Sequence, residues 1–127
     1  MRIPPNAIDE ASLAAIGSEA VSLLCSGDIP SLVGKFGYAL ALQREPQSAV
    51  LQDLSICLSE LQASALALPT QQRAPLIQYL QANTSNLFAS IACPIPTNNG
   101  SEILLELIVT SKGSEFHVTL EQLSAAA

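Results

Sequence analysis

Few residues in this chain could carry chemistry. There is no tryptophan, His117 is the single histidine, and only five of 127 residues are lysine or arginine. With aromatics at 4% and a hydrophobic fraction of 49%, the core must be built from Leu, Ile, Val and Ala. Arg2, Lys35, Arg44, Arg73 and Lys112 are dispersed, and against eleven acidic residues they leave a net charge of −6. That balance opposes counterion-release binding to DNA or RNA, so no nucleic acid is expected as a partner.

The three cysteines exclude more than they offer. Cys25, Cys57 and Cys93 are odd in number, widely spaced and set among apolar or small residues, which reads as reduced buried thiols and not as a disulfide framework. With one histidine they supply no zinc set, so no metal is expected. The six glycines form neither a G-x-G-x-x-G nor a P-loop pattern, and no cofactor is expected. The tripeptide GSE recurs at Gly17, Gly100 and Gly113 without forming a nucleophile elbow. No apolar run reaches the roughly 18 residues of a membrane span. Pro4, Pro5, Asp9 and Glu10 interrupt the start where a signal peptide needs an apolar core. A cytoplasmic protein without membrane contact is the expectation.

What is present reads as one α+β domain over residues 1–127, with about four helices followed by a three-stranded antiparallel meander. Asn6 could cap a first helix whose stripe is Ile8, Leu13, Ile16, Ala20, Leu23 and Leu24, ended by Gly27. Asp28 and Pro30 open a short second helix, which Gly34 and Gly37 weaken before a further short helical piece. Pro46 starts a third, with Leu51, Leu54, Leu58, Leu61 and Ala65 as its core stripe. Thr70 could cap a fourth through "QQRAPLIQYLQAN". After Asn83, "NLFASIACPIP", "SEILLELIVT" and "SEFHVTLEQL" read as strands separated by "TNNG" and "SKGS".

A hairpin turning at Lys112 and Gly113 sets Leu105, Leu107, Val109, Phe116, Val118 and Leu120 on a core face. It leaves Glu106, Ile108, Glu115 and His117 on the other. In this register Ile108 opposes His117 and Leu104 opposes Glu121. His117 is then a strand position and not a catalytic base, because no nucleophile or acid accompanies it. Glu102, Glu106, Glu115 and Glu121, four of the eleven acids, form with His117 one candidate partner-binding surface. A second is "GKFGYALALQREP", where Phe36 and Tyr38 fall among glycines.

These features lead to the expectation of a non-enzymatic, acidic protein-binding domain. The closest functional type is a bacterial immunity protein that inhibits a basic toxin or nuclease. A chaperone or adaptor for a secreted effector also fits, and would form a homodimer through the helix at residues 51–61 or through a strand edge. A third alternative is a small-ligand-binding domain, with a pocket lined by Phe36, Tyr38, Tyr79, Phe88 and His117.

Overall fold

Asp9, Asp28 and Glu45 each stand one residue before a helix, and each side chain accepts a backbone N–H three residues on, from Ser12, Ser31 and Ser48. These carboxylates satisfy amides that the first helical turn leaves open and oppose its positive dipole end. They start α1 (Glu10–Cys25), α2 (Ile29–Phe36) and α3 (Pro46–Glu60). A 3-10 turn, Ala39–Ala41, lies between the last two. In the computed structural model, residues 1–67 and 73–126 are described.

The strands are β1 (Arg2–Ile3), β2 (Leu76–Tyr79), β3 (Leu87–Pro96), β4 (Glu102–Lys112) and β5 (Glu115–Ala126). They form one antiparallel sheet in the order β1-β5-β4-β3-β2. The helices lie on one face. Leu13, Ile16, Ala20 and Leu24 of α1, Leu32 and Phe36 of α2, and Val50 and Cys57 of α3 join one cluster with Ile91, Cys93, Leu105, Leu107, Val118 and Leu120 of the sheet. Side chains on the other face, among them Ala92, Leu104, Glu106, Ile108 and Thr119, are only half-buried.

The expected fold class is therefore corrected. The described residues hold three α-helices, not about four, and five strands, not a three-stranded meander. The segment assigned to a fourth helix contains β2, in which Ile77 pairs with Ile91 and Tyr79 with Ala89. Four residues, Leu-Ile-Gln-Tyr, are too few to distinguish the two periods, and an edge of β3 was available to satisfy their backbone. Thr70, the proposed cap, lies outside the described residues. At the other edge Arg2 and Ile3 add β1 opposite His117 and Phe116.

Two smaller corrections concern stripes and register. The buried residues of α3 are Ala49, Val50 and Cys57, while Leu51 is exposed and Leu54 and Leu58 flank the contact. Small residues let this helix approach the sheet more closely than a leucine row would. The helix stops at Glu60, leaving Ala65 beyond it. α1 is capped by Asp9 instead of Asn6, and Gly27, in the left-handed region at φ 79°, follows its end as expected. The β4–β5 turn falls at Gly113 and Ser114, so Lys112 pairs with Glu115 and Thr110 with His117. This two-residue slip preserves both faces, and Leu105, Leu107, Val109, Val118 and Leu120 are all fully buried.

Gly17 fixes the spacing between α1 and β3. A Cβ there would lie 2.8 Å from Ile91 Cγ2, 3.0 Å from Cys93 Sγ and 3.1 Å from Pro75 Cβ. Gly34, inside α2, has nothing within 4 Å of the same position. Gly17→Ala is therefore expected to lower unfolding free energy by about 1–2 kcal/mol through overpacking, despite its gain in helix propensity. Gly34→Ala is expected to raise it by about 0.5–1 kcal/mol. Urea denaturation of both variants distinguishes a close-approach glycine from an unneeded one, and equal shifts would contradict the packing described.

Candidate binding cleft

The charge on the uncovered sheet face is largely balanced. Glu102 pairs with Arg73 at 2.8 Å and Glu115 with Arg2 at 3.3 Å, while Glu106 accepts from Gln122 at 2.9 Å. His117 Nε2 lies 3.5 Å from Glu115 Oε2, with no nucleophile among these contacts. Glu121 sits at a bulge: Leu120 opposes Leu107 and Gln122 opposes Glu106, which leaves Glu121 unopposed. Strand geometry thus brings Glu102, Glu106, Glu115 and His117 to one face, as the alternation implies. Arginines that are remote in sequence neutralise two of the carboxylates.

Phe36 and Tyr38 are both buried, so neither ring is presented to a partner. Tyr79, Phe88 and Phe116 form an edge-to-face row instead, with ring centroids 5.6 and 5.0 Å apart. The acid excess lies in the helical layer. Asp9, Glu10, Glu19, Asp28, Glu45, Asp53 and Glu60 stand with only Lys35 and Arg44 there, whereas Glu102, Glu106, Glu115 and Glu121 stand with Arg2, Arg73 and Lys112, an excess of one acid instead of five.

A cleft of about 490 Å³ opens on the helical side, between the 3-10 turn, α3 and the end of β5. Its organising group is Arg44, which directs all five N–H donors into the fold. Nη1 donates to Asp53 Oδ1 at 2.9 Å and to Gln52 Oε1 at 3.0 Å. Nη2 donates to Asp53 Oδ2 at 3.1 Å and to the Leu40 carbonyl at 2.5 Å. Nε donates to the Ala41 carbonyl at 3.1 Å. The Tyr38 hydroxyl completes the set with a 2.5 Å bond to Asp53 Oδ2. Arg44, with Tyr38, holds the Asp53 carboxyl below the usual carboxylate range against the opposing effect of burial. Burial, with Asp53 beside it, pushes the Tyr38 phenol up.

The clamp closes a tight turn over residues 41–44, bridged by a 2.9 Å bond from Arg44 N–H to the Ala41 carbonyl. Leu42 occupies its second position at φ 55°, ψ −123°, a conformation that ordinarily selects glycine. A branched side chain there costs on the order of 1–3 kcal/mol unless the surroundings impose it. What results is a leucine that is 79% exposed. Leu40 and Ile56 are also exposed, and with Leu42 they wall the cleft. Glu60 lies on its border, and no cation pairs with it among the described residues.

Reactive chemistry in the cleft is restrained. Cys57 is buried, and desolvation, followed by the Glu60 and Asp53 charges, pushes its thiol up and away from thiolate. Cys93 sits deeper under α1, pushed up to about 12 by burial. No group of three potential metal ligands occurs among the described residues, and no described helix is long and apolar enough to cross a membrane. Phe36, Tyr38, Tyr79, Phe88 and His117 line neither this cleft nor the smaller one around Pro4, Pro5 and Ser114.

The cleft draws on the same segment that the aromatic residues singled out, but through different side chains. Phe36 and Tyr38 drew attention to "GKFGYALALQREP", yet its exposed members are Leu40 and Leu42. Glu60 and Ile56 were assigned to an ordinary helix surface. The available signal was a pair of leucines outside any helical stripe and just ahead of a charged turn. Comparison with family models, curated proteins and solved structures finds no match for the chain.

Because the folded Asp53 carboxyl is more acidic than its unfolded counterpart, its stabilisation is present above the ordinary aspartate pKa of about 3.9. That contribution is lost as pH falls through the lower folded value. Asp53→Asn is expected to cost about 1–2 kcal/mol at neutral pH and to flatten the acid limb of a stability-versus-pH curve. An unchanged acid limb would show that the Arg44 pair contributes nothing. Leu42→Gly is expected to raise stability by about 1 kcal/mol by removing the strained conformation, as measured by thermal or urea unfolding.

Proposed function

We propose that the protein is a non-enzymatic binding domain that captures a basic protein partner at this cleft. In the most specific form of this reading it is a cytoplasmic antidote of the bacterial immunity-protein kind, directed against a toxin or nuclease. The observation carrying the proposal is Leu42, held in a strained turn by five guanidinium hydrogen bonds and still exposed. Strain retained to expose an apolar side chain is better suited to recognition than to stability. Leu40 and Ile56 supply the adjoining apolar contact and Glu60 the polar rim, an arrangement that matches interface anatomy.

Charge sets the partner class. A helical layer with seven carboxylates and two cations would steer a basic surface toward the cleft, at rates that fall as salt rises. The balanced sheet face contributes less to that field, so Glu102, Glu106, Glu115, His117 and Glu121 would act as secondary contacts. Cys57 offers no poised nucleophile, and Arg44 has no donor left for an anionic ligand; both features support binding over turnover.

The test is affinity capture from the native host, comparing wild type, Leu42→Asp and Glu60→Lys at low and high salt. A stoichiometric basic partner should be retained by wild type and lost at least tenfold by either variant. Co-expression of wild type should suppress any toxicity of that partner. Capture that is indifferent to both substitutions would reject the cleft as the binding site.

A further inference from the structure

The sheet has an unfinished edge beside the cleft. β1 pairs with β5 only at Phe116 and His117, and Met1 extends this by exchanging backbone bonds with Val118 at 2.7 and 2.8 Å. Past Val118, no described strand pairs with β5 on that side, although β4 pairs with it as far as Ala126 on the other. Leu123, which pairs with Leu105 of β4, lines the cleft at this end of the strand. Ser124 and Ala125 then form one wall of the cleft, opposite Leu42 and Ile56.

We propose that this edge accepts an extended, apolar segment of the partner carrying a lysine or arginine, which adds as a strand beside the end of β5. The inference rests on the partner-binding reading and specifies how the partner docks. Unpaired strand edges are templates for added strands, and natural folds usually blunt or cover them. Here Phe116, His117 and Val118 show that the edge takes a strand, and apolar side chains of the cleft border its far end. In an added strand, alternate side chains face the helical layer, where Leu42 and Ile56 provide an apolar wall. Glu60 is the last residue of α3, where the negative end of the helix dipole adds to its charge. A cation on the incoming segment complements both, whereas a second copy of this acidic chain would bring a second Glu60 toward the first. A heterologous basic segment is therefore the occupant.

The probe is a phage-displayed library of short random linear peptides panned against the intact protein. Selected peptides should alternate apolar residues and contain a lysine or arginine. Methylating alternate backbone nitrogens of a selected peptide should weaken binding at least tenfold in one register and little in the other, because only one set of amides meets β5. Glu60→Lys should weaken the unmodified peptide by a similar factor, and Ala125→Pro, which removes a backbone N–H from the end of β5, should weaken it as well. The methylated peptides leave the protein untouched, so a folding defect in a variant cannot imitate the result.

Equal tolerance of both methylation patterns, or enrichment of helical or acidic peptides, would overturn strand addition. Dimerisation seen by sedimentation and abolished by Ala125→Pro would assign the edge to a second copy, which also overturns it. If the captured host partner needs Leu42 and Glu60 but binds Ala125→Pro normally, the strand proposal fails while the partner-binding reading stands. If no partner depends on Leu42 or Glu60, the broader reading fails first.

Discussion

The Arg44–Asp53 pair is the constraint from which the cleft follows. A guanidinium with every donor engaged ties α3 to the preceding turn through Asp53 and Gln52, and ties that turn to itself through Leu40 and Ala41. Lysine could not reproduce a planar fork of five donors. Because both partners are only partly exposed, the pair is less screened than an ordinary surface ion pair. Tyr38 joins the same network through Asp53, and the end of β5 closes the cleft with Leu123, Ser124 and Ala125. Three elements that otherwise meet by apolar contact are thereby held at fixed separation, and the space between them is the cleft.

The rest of the fold supplies a rigid backing. Gly17 lets α1 settle onto β3, and the small residues of α3 let that helix approach the sheet. The fully buried Ile91, Leu105, Leu107 and Leu120 fill the intervening layer. Such a platform cannot relax easily around Leu42, so a strained turn persists without cooperative loss of structure. The same sheet has a second, uncovered face, but its carboxylates are answered by Arg2 and Arg73. Net charge alone therefore misplaces the electrostatic asymmetry, which lies with the helices.

Local rules made much of the fold legible. The apolar stripe marked α1, though its cap was placed at Asn6 instead of Asp9, Asp28 marked α2, Pro46 marked α3, and alternation assigned the faces of β4 and β5 up to the bulge even though their pairing was slipped by two residues. Long-range events were not legible. β2 exists because the edge of β3 accepts Leu76–Tyr79, and β1 because His117 and Phe116 accept Arg2–Ile3; neither short segment has a decisive period of its own. The core stripe of α3 was legible in part: Leu54, Leu58 and Leu61 pack against the core, but Leu51 is exposed and the fully buried positions are Ala49, Val50 and Cys57, which leucine spacing passed over. The cleft depended on Arg44 meeting a carboxylate nine positions away and on a leucine adopting a glycine conformation, and neither is encoded by spacing.

The most direct test of the account is methyl-detected NMR of leucine- and isoleucine-labelled protein during titration with the captured partner. The account predicts that shifts concentrate on Leu40, Leu42 and Ile56, with Leu123 responding beside them. Perturbation centred instead on Leu104 and Ile108, with the cleft methyls unchanged, would contradict it and place recognition on the opposite face of the sheet.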